Sequence, residues 1–282
     1  MKRRKFITLG GSAAIGTTAV PLAILPAMPR SQWQPDGVGS LGRIGALTPD
    51  FDPVPESEIC AMAPHGVSIH ASRVTWNGEH LSLRSARAFA EPPHIDNATQ
   101  QLAALKPQAI IYAFTSSSYA LGTDGDDLLR ARLEKAGGSV PVVLTCPAAV
   151  EALWSFEVHR VALVHPPWFS EEVSTAGMNY FRKQGFEVVL DARMTPARSF
   201  MEVQPREVYE WVKTNVPRQA EAVFIGGNGL RATGAIQALE ESLGRPVLTA
   251  NQVALWKALR IVATTSKVVQ YGRVFTNIGP TH

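Results

Sequence analysis

The chain contains the same ordered set of short motifs twice. Residues 43–49 (RIGALTP) resemble residues 160–166 (RVALVHP), and residues 108–118 (QAIIYAFTSSS) resemble residues 221–231 (EAVFIGGNGLR). A third pair, PVVLTCPAAVEAL and PVLTANQVALWKAL, follows in the same order, so the offset drifts only from 117 through 113 to 105 residues. A repeat of this length is typical of a duplicated globular module rather than of a solenoid. The sequence therefore predicts two similar lobes.

Each half alternates short apolar runs with amphipathic stretches. Several of these stretches begin with Asp or Ser and end at Gly, which is typical of helices. The alternation predicts an α/β fold with two lobes, each a roughly four-stranded parallel sheet flanked by helices, related by a pseudo-two-fold axis. A single (β/α)8 barrel is the alternative. The predicted strands are 43–47, 67–74, 109–113, 142–145, 160–164, 187–190, 222–225 and 246–249, and the predicted helices are 95–105, 124–135, 148–155, 170–184, 205–215, 230–243 and 252–261.

The first 27 residues have the composition of an export signal. Arg3 and Arg4 lie in a basic start, and an uncharged stretch rich in Gly, Ala and Thr follows as far as Ala27. This pattern predicts twin-arginine export to the periplasm or beyond, with no stable membrane anchor after signal removal. A retained membrane anchor is the alternative, which Gly and Pro within the stretch disfavour. The expected segments are a signal at 1–27, a linker at 28–40, the first lobe at 41–145, the second lobe at 146–262, and a C-terminal segment at 263–282 that returns to the first lobe.

Charge and cysteine content exclude several classes of protein. The first 27 residues hold four of the 27 Lys and Arg and none of the 24 Asp and Glu, so the rest of the chain has a net charge of −1. A near-neutral chain without a basic stripe is not expected to bind nucleic acid. Scattered histidines without ligand spacing predict no metal site. Cys60 and Cys146 are too few for a disulfide framework, although they could pair if the fold brings them together.

Small and polar residues follow the predicted strands where the two halves are most alike. Ligands of parallel sheets bind at the carboxyl ends of the strands. Hydroxyl and backbone N–H donors at one end suit a carboxylate, and glycines at the other end allow close backbone approach. A helix-capping turn is the alternative for the serines. The predicted ligand-binding residues are Thr115, Ser116, Ser117, Gly227, Asn228 and Gly229, with Trp168 as an apolar wall.

Two side chains at strand ends are candidate proton carriers. His165 ends the first strand of the second lobe, and Asp52 follows the first strand of the first lobe. Imidazole titrates near neutrality, and burial can raise the pKa of a carboxylate. A purely structural role in a turn is the alternative for both residues.

The motifs GALTP, VSIHASRV, IIYAFTSSS, RVALVHP, VFIGGNGLR and RPVLTANQVALWKALR resemble the aspartate/glutamate racemase superfamily. The resemblance spans about 41–275 and is strongest to the branch of maleate cis-trans isomerases and arylmalonate decarboxylases, with the terminal QYGRVF run favouring the decarboxylases. It implies a cofactor-independent enzyme that acts at the carbon next to a carboxylate of a small mono- or dicarboxylic acid.

The resemblance also implies a cysteine at a strand end in each lobe, and this chain lacks both. Phe114 and Gly227 occupy those positions, whereas Thr115 and Ser116 match the pair that holds the carboxylate. The loss argues against two-thiol racemisation and leaves Cys146, at the end of another strand, as a substitute proton donor. Two hypotheses stay open: a decarboxylase or an isomerase- or racemase-like enzyme, and a catalytically silent exported carboxylate-binding protein. The sequence also leaves open a homo-oligomer.

Overall fold

The computed structural model describes residues 36–196, 201–264 and 266–277. The expected export signal and most of the expected linker lie outside these ranges. The compact unit begins at Gly37.

Eight strands form two separate parallel sheets of four strands, which confirms the predicted two-lobed α/β fold rather than the barrel. The strand order is β2-β1-β3-β4 in the first sheet and β6-β5-β7-β8 in the second, so the two halves have the same topology. The strands are β1 (Gly42–Pro49), β2 (Val67–Val74), β3 (Ala109–Tyr112), β4 (Val142–Leu144), β5 (Arg160–His165), β6 (Glu187–Arg193), β7 (Ala222–Ile225) and β8 (Val247–Thr249).

The central strands are buried on both faces because helices cover each sheet on both sides. In the first sheet Ala46 pairs with Ile111, and in the second Val164 pairs with Ile225. All residues of β3 and β7 are buried. Continuous apolar strands of this kind are typical of parallel sheets.

The described residues contain nine α-helices, of which the first two were not predicted. The fourth helix begins at Thr115 rather than at 124 and bends at Gly122, whose φ is +71°. None of the described helices is both long and apolar enough to cross a membrane. The helices are α1 (Val54–Met62), α2 (Leu83–Phe89), α3 (His94–Ala103), α4 (Thr115–Ala136), α5 (Thr145–Ser155), α6 (Glu171–Lys183), α7 (Pro205–Asn215), α8 (Ile236–Leu243) and α9 (Ala250–Val262), and 3₁₀ helices span Thr233–Ala235 and Arg273–Asn277.

The two lobes share one hydrophobic core. The helix α9, which belongs to the second repeat, packs against α1, α5 and β3 of the first part of the chain. Its Trp256 is fully buried in a cluster that also includes Ile111 and Phe224, one from each sheet. After α9, Ser266 Oγ donates a hydrogen bond to His65 O in the first lobe, at 3.3 Å. The lobes are therefore held at a fixed separation, as a cleft site requires.

Candidate active site

A cavity of about 720 Å³ lies between the carboxyl ends of the two sheets. Its wall uses equivalent positions from both repeats. Phe51 and Asp52 follow β1, and Trp168 and Phe169 follow β5 at an offset of 117 residues. Residues 114–116 after β3 and 227–229 after β7 are likewise equivalent, at an offset of 113. The repeat thus builds the cavity from the same positions twice. The other residues in the wall are Trp76, Glu79, His80, Leu81 and Ser170.

Residues 114–118, which we call the serine segment, comprise the N-cap residue Phe114 and the first turn of α4. The segment is buried from Thr115 onward, and Ser116 lies in the cavity wall. The hydroxyl and the N–H of Ser116 make no hydrogen bond to another described residue, so both are free to donate to a ligand. Ser117 is different, because its Oγ lies 2.7 Å from Tyr112 Oη and donates to Ala86 O at 2.9 Å. The segment therefore offers the cavity a helix N-terminus, which favours anions.

Residues 226–229, which we call the glycine segment, follow β7 without starting a helix. Gly227 has φ of +81°, and a Cβ at this position would overlap the Pro166 ring. The N–H groups of Gly227, Asn228 and Gly229 have no acceptor among the described residues. The second lobe therefore presents backbone donors, and the loop leaves no room for a side chain at the position where relatives are expected to hold a cysteine.

The serine and glycine segments contact each other directly. Asn228 Oδ1 accepts hydrogen bonds from Thr115 N at 2.8 Å and from Thr115 Oγ1 at 2.6 Å. Asn228 Nδ2 donates to Asn251 Oδ1 at 2.9 Å and to Thr145 Oγ1 at 3.3 Å. Asn251 Nδ2 in turn donates to Glu58 Oε2 at 2.8 Å. A chain of hydrogen bonds therefore runs from the cavity wall to α1.

Glu58 ends this chain and joins the two lobes. Its Oε1 accepts from Thr233 N at 2.9 Å and its Oε2 from Thr233 Oγ1 at 2.5 Å. Burial raises the pKa of Glu58, and the hydrogen bonds from Thr233 and Asn251 oppose that rise. Sequence reasoning missed Glu58 because α1 was not predicted.

The ionisable side chains of the cavity wall all come from the first lobe. Asp52 is only 5% exposed, and its Oδ1 accepts a hydrogen bond from Val54 N at 2.9 Å. Burial raises the pKa of Asp52 to about 6, against the Val54 hydrogen bond and the charge of Arg73. Glu79 and His80 are exposed at the rim. The wall residues from the second lobe are aromatic, Ser, Gly or Asn. Asp52 is therefore the buried acid of this site.

The other two predicted proton carriers lie behind the wall. His165 is fully buried, its Nε2 lies 2.8 Å from Asp191 Oδ1, and its ring stacks on the wall residue Phe169 with centroids 5.9 Å apart. Cys146 is also fully buried, with Sγ 3.7 Å from Thr115 O, and burial raises the pKa of its thiol. Cys60 is an exposed free thiol on α1. No described cysteine lines the cavity.

Five aromatic residues make most of the wall apolar. Phe114 packs against Trp76 and Phe89, with centroids 5.5 Å and 4.5 Å apart. Phe51 and Trp76 were not among the predicted ligand-binding residues, although Phe51 occupies the repeat position of the predicted Trp168. The described part of the wall contains no Lys or Arg, and no group of three or more His, Cys, Asp or Glu in the described ranges could hold a metal ion. The site suits a small carboxylic acid with an apolar substituent. The aromatic wall residues are Phe51, Trp76, Phe114, Trp168 and Phe169.

Known proteins with related sequences are maleate isomerases. The enzyme from Alcaligenes faecalis is 23% identical over 84% of this chain and 98% of its own length. The enzyme from Pseudomonas putida is 27% identical over 155 residues, which cover 52% of this chain and 61% of that protein.

Solved structures with the same fold include two kinds of enzyme. The maleate isomerase of Pseudomonas putida S16 with bound maleate gives a TM-score of 0.76 at 18% identity, over 83% of this chain and 97% of that one. An arylmalonate decarboxylase gives 0.69 at 18% identity, over 83% and 99%. The Nocardia farcinica maleate cis-trans isomerase with a covalent succinylcysteine intermediate gives 0.75 at 20% identity, over 83% and 98%.

The fold and the cleft define a two-lobed member of the aspartate/glutamate racemase superfamily, in the branch of maleate isomerases and arylmalonate decarboxylases. The family described as arylmalonate decarboxylase matches residues 60–275. The chain belongs to this family.

Proposed function

We propose that the protein is a cofactor-independent decarboxylase of small arylmalonate-like acids that protonates its product from one face. The observation that carries this proposal is the one-sided chemistry of the cavity. Among the described residues of the wall, Asp52 from the first lobe is the only buried acid, and those from the second lobe include no ionisable side chain.

Binding of the substrate would use neutral donors and aromatic contacts. One carboxylate accepts hydrogen bonds from the Ser116 hydroxyl and N–H and from the free N–H groups of the glycine segment. The aryl group contacts the aromatic wall. A second carboxylate placed against apolar side chains loses solvation that its negative charge requires, which favours its departure as neutral carbon dioxide.

The proposed reaction has two steps. The bond between the α-carbon and the departing carboxylate breaks, carbon dioxide leaves, and the electron pair stays on the α-carbon as an enediolate conjugated with the remaining carboxylate. Protonated Asp52 then donates its proton to the α-carbon, and solvent reprotonates Asp52. A carboxyl with a pKa of about 6 is partly protonated near neutral pH, as a general acid must be.

The loss of both thiol positions favours decarboxylation over the reactions of related isomerases. The covalent succinylcysteine of the Nocardia enzyme requires a thiol, and Phe114 and Gly227 occupy the positions where the family resemblance places one. A racemase requires an acid or base on each face of the α-carbon. Here the position equivalent to Asp52 in the second lobe is Phe169.

The test is carbon dioxide release from phenylmalonate by the wild-type protein, Asp52→Asn and Asp50→Asn. Asp50 is the matched control, because it lies two residues away and does not line the cavity, and because Asn at this position keeps the oxygen that accepts from the backbone N–H of Trp76. We expect Asp52→Asn to lose about 10²- to 10⁴-fold in rate, and Asp50→Asn to stay near wild type. Since the protonated form is the active one, the wild-type rate should fall as pH rises through about 6. Equal rates for wild type and Asp52→Asn would show that Asp52 is not the proton donor.

A second candidate function is binding without turnover. It is favoured by the absence of a described cysteine from the cavity wall. A binding protein would gain thermal stability with phenylmalonate or maleate yet return the acid unchanged after prolonged incubation. Release of carbon dioxide that depends on Asp52 would exclude this alternative.

We also propose that the protein is exported by the twin-arginine route. The supporting observation is the Arg3–Arg4 pair ahead of an uncharged, Gly- and Ala-rich stretch. Replacing both arginines with lysine should retain the protein in the cytoplasmic fraction. An unchanged distribution between cell fractions would contradict export by this route.

A further inference from the structure

The two donor groups of Thr115 are both used by one acceptor. Its N–H and its hydroxyl donate to Asn228 Oδ1, at 2.8 and 2.6 Å. A hydroxyl has a single hydrogen, so Thr115 cannot also donate to a bound ligand while this contact exists. Two convergent donors on one oxygen are what a carboxylate oxygen requires at an anion site.

Both residues belong to the cavity wall and not to the core behind it. Thr115 and Asn228 line the cavity, and they are equivalent positions of the two repeats. Their contact therefore lies where the serine and glycine segments meet across the pseudo-two-fold axis. Ser116, beside Thr115 in the same wall, has no such partner among the described residues.

The orientation of the Asn228 amide is fixed by its other contacts. Glu58 is an acceptor for Thr233 and for Asn251 Nδ2, so Asn251 presents Oδ1 to Asn228. Asn228 must then present Nδ2 to Asn251 and Oδ1 to Thr115. A flipped Asn228 amide would place two oxygens together at Asn251 and two donors together at Thr115, which disfavours it.

From these contacts we infer that the side chain of Asn228 occupies the carboxylate site when no ligand is bound. It thereby sets the affinity and the selectivity of that site for ligands. Its Oδ1 holds the place of a ligand oxygen on Thr115, so a carboxylate that binds to Ser116 and the glycine segment must displace Asn228 Oδ1 to bind to Thr115 as well. A carboxylate oxygen is a stronger acceptor than an amide oxygen, so an anion can displace Asn228 where a neutral amide or ester cannot. This inference rests on the proposed carboxylate function, because it identifies how that same site is occupied before substrate binds.

The experiment compares the binding of phenylacetate, which cannot lose carbon dioxide by the proposed route, to wild type and Asn228→Ala by calorimetry. Removing the occupant should make binding roughly tenfold tighter, since the ligand no longer replaces one or two neutral hydrogen bonds. Asn228→Asp should bind at least about tenfold more weakly than wild type, because a carboxylate at this place is a stronger occupant and repels the anion. In a Thr115→Val background, Asn228→Ala should increase the affinity for phenylacetate much less than it does in the wild-type protein.

The outcomes separate this inference from the proposed function. Binding of phenylacetate by both proteins, with Asn228→Ala equal to or weaker than wild type, would overturn the inference and leave the carboxylate site intact. No binding by either protein would overturn both. A wild-type crystal structure with phenylacetate tests the inference without any variant: the carboxylate should contact Thr115 with Asn228 Oδ1 beyond hydrogen-bond distance. A retained Thr115–Asn228 contact in that complex would overturn it.

Discussion

The serine segment and the glycine segment occupy equivalent places in two sheets of identical strand order, yet they present different chemistry. The serine segment starts a helix at Thr115 and offers hydroxyls. The glycine segment has Gly227 in a left-handed conformation and offers backbone N–H groups. The positions after the first strand of each repeat differ in the same way, because Asp52 in the first lobe corresponds to Phe169 in the second. The duplicated scaffold fixes where groups lie, and in the proposed mechanism the first copy supplies the proton donor while the second copy only encloses the substrate.

The largest expected effect comes from giving the glycine segment a side chain. In Gly227→Ala the new Cβ would overlap Pro166 in a backbone conformation that L-residues rarely adopt, so we expect a loss of about 3 kcal/mol or more in the free energy of unfolding. Gly244→Ala is the matched control, with φ of +68° and nothing near the added carbon. Strain alone should cost it about 1 kcal/mol. Equal losses in urea unfolding would mean that the Pro166 contact does not constrain the segment.

The helices that begin in or after the serine and glycine segments each bury a carboxyl group. Replacing these two carboxyl groups with amides should change the free energy of unfolding in opposite directions. Burial raises the pKa of Asp126 on α4 to about 6, although the Tyr180 hydroxyl donates to it at 2.8 Å. The folded state therefore favours the protonated form of Asp126. Its stabilising contribution is complete below pH 4 and is lost as pH rises through about 6. At pH 8 we expect the free energy of unfolding of Asp126→Asn, measured with urea, to exceed that of wild type by about 2 to 3 kcal/mol. At pH 4 this difference should disappear.

Glu240 on α8 is the comparison for Asp126. It accepts hydrogen bonds from Val247 N and Arg273 N, at 3.1 and 2.9 Å. Burial raises the pKa of Glu240 as it does that of Asp126, so the loss of the charge alone would be favourable at pH 8. Unlike Asp126, however, Glu240 accepts from backbone N–H groups with both oxygens, and Glu240→Gln leaves one of these N–H groups facing an amide N–H. The unpaired donor outweighs the loss of the charge, so we expect Glu240→Gln to destabilise the fold at pH 8 by about 1 to 2 kcal/mol. If both neutralising variants shift stability in the same direction at pH 8, the two helices do not differ as described.

A thiol can be restored in one segment but not in the other. Phe114 precedes the first turn of α4 with an ordinary negative φ, so Phe114→Cys loses only aromatic packing, about 1 to 2 kcal/mol for this partly buried side chain. The adjacent helix N-terminus should lower the pKa of the introduced thiol. In a Cys60→Ser background it should react with iodoacetamide, whereas the buried Cys146 should not. No added labelling in the folded protein would place Phe114 outside the accessible wall.

The smallest expected effect distinguishes neighbouring serines. Ser116→Ala should weaken phenylacetate binding about five- to tenfold, the equivalent of one hydrogen bond to an anion. Ser117→Ala should leave the affinity unchanged, because its hydroxyl is bonded to Tyr112 and Ala86 behind the wall. Equal affinity losses would show that the segment does not bind its ligand through Ser116 specifically.

The sequence predicted the sheets better than the helices. Runs such as AVFI are apolar throughout and bounded by polar residues, and the β7 strand has the predicted bounds. The first turns of α4 were missed because TSSS and two glycines have poor helix propensity. Tertiary packing stabilises the helix there despite the poor propensity, since Thr115 to Ala120 are buried.

The composition of the cavity could be predicted only in part. The repeat led directly to Thr115, Ser116 and the glycine segment, which all lie in the wall. It could not show that Asp52 is buried in the wall while Asp50 is exposed, because the exposure of both residues depends on the conformation of the turn after β1. It also could not show that Phe169 lies between His165 and the cavity, since stacking across a loop leaves no periodic signal.

The central claim is that protonation occurs from the first lobe alone, and a prochiral substrate tests it most directly. We would incubate wild-type protein with α-methyl-α-phenylmalonate in deuterium oxide and measure the enantiomeric composition of the product by chiral chromatography. The account predicts one enantiomer in large excess, carrying one deuterium at the α-carbon, with formation abolished in Asp52→Asn and retained in Asp50→Asn. A racemic product, or an unchanged yield from Asp52→Asn, would contradict it.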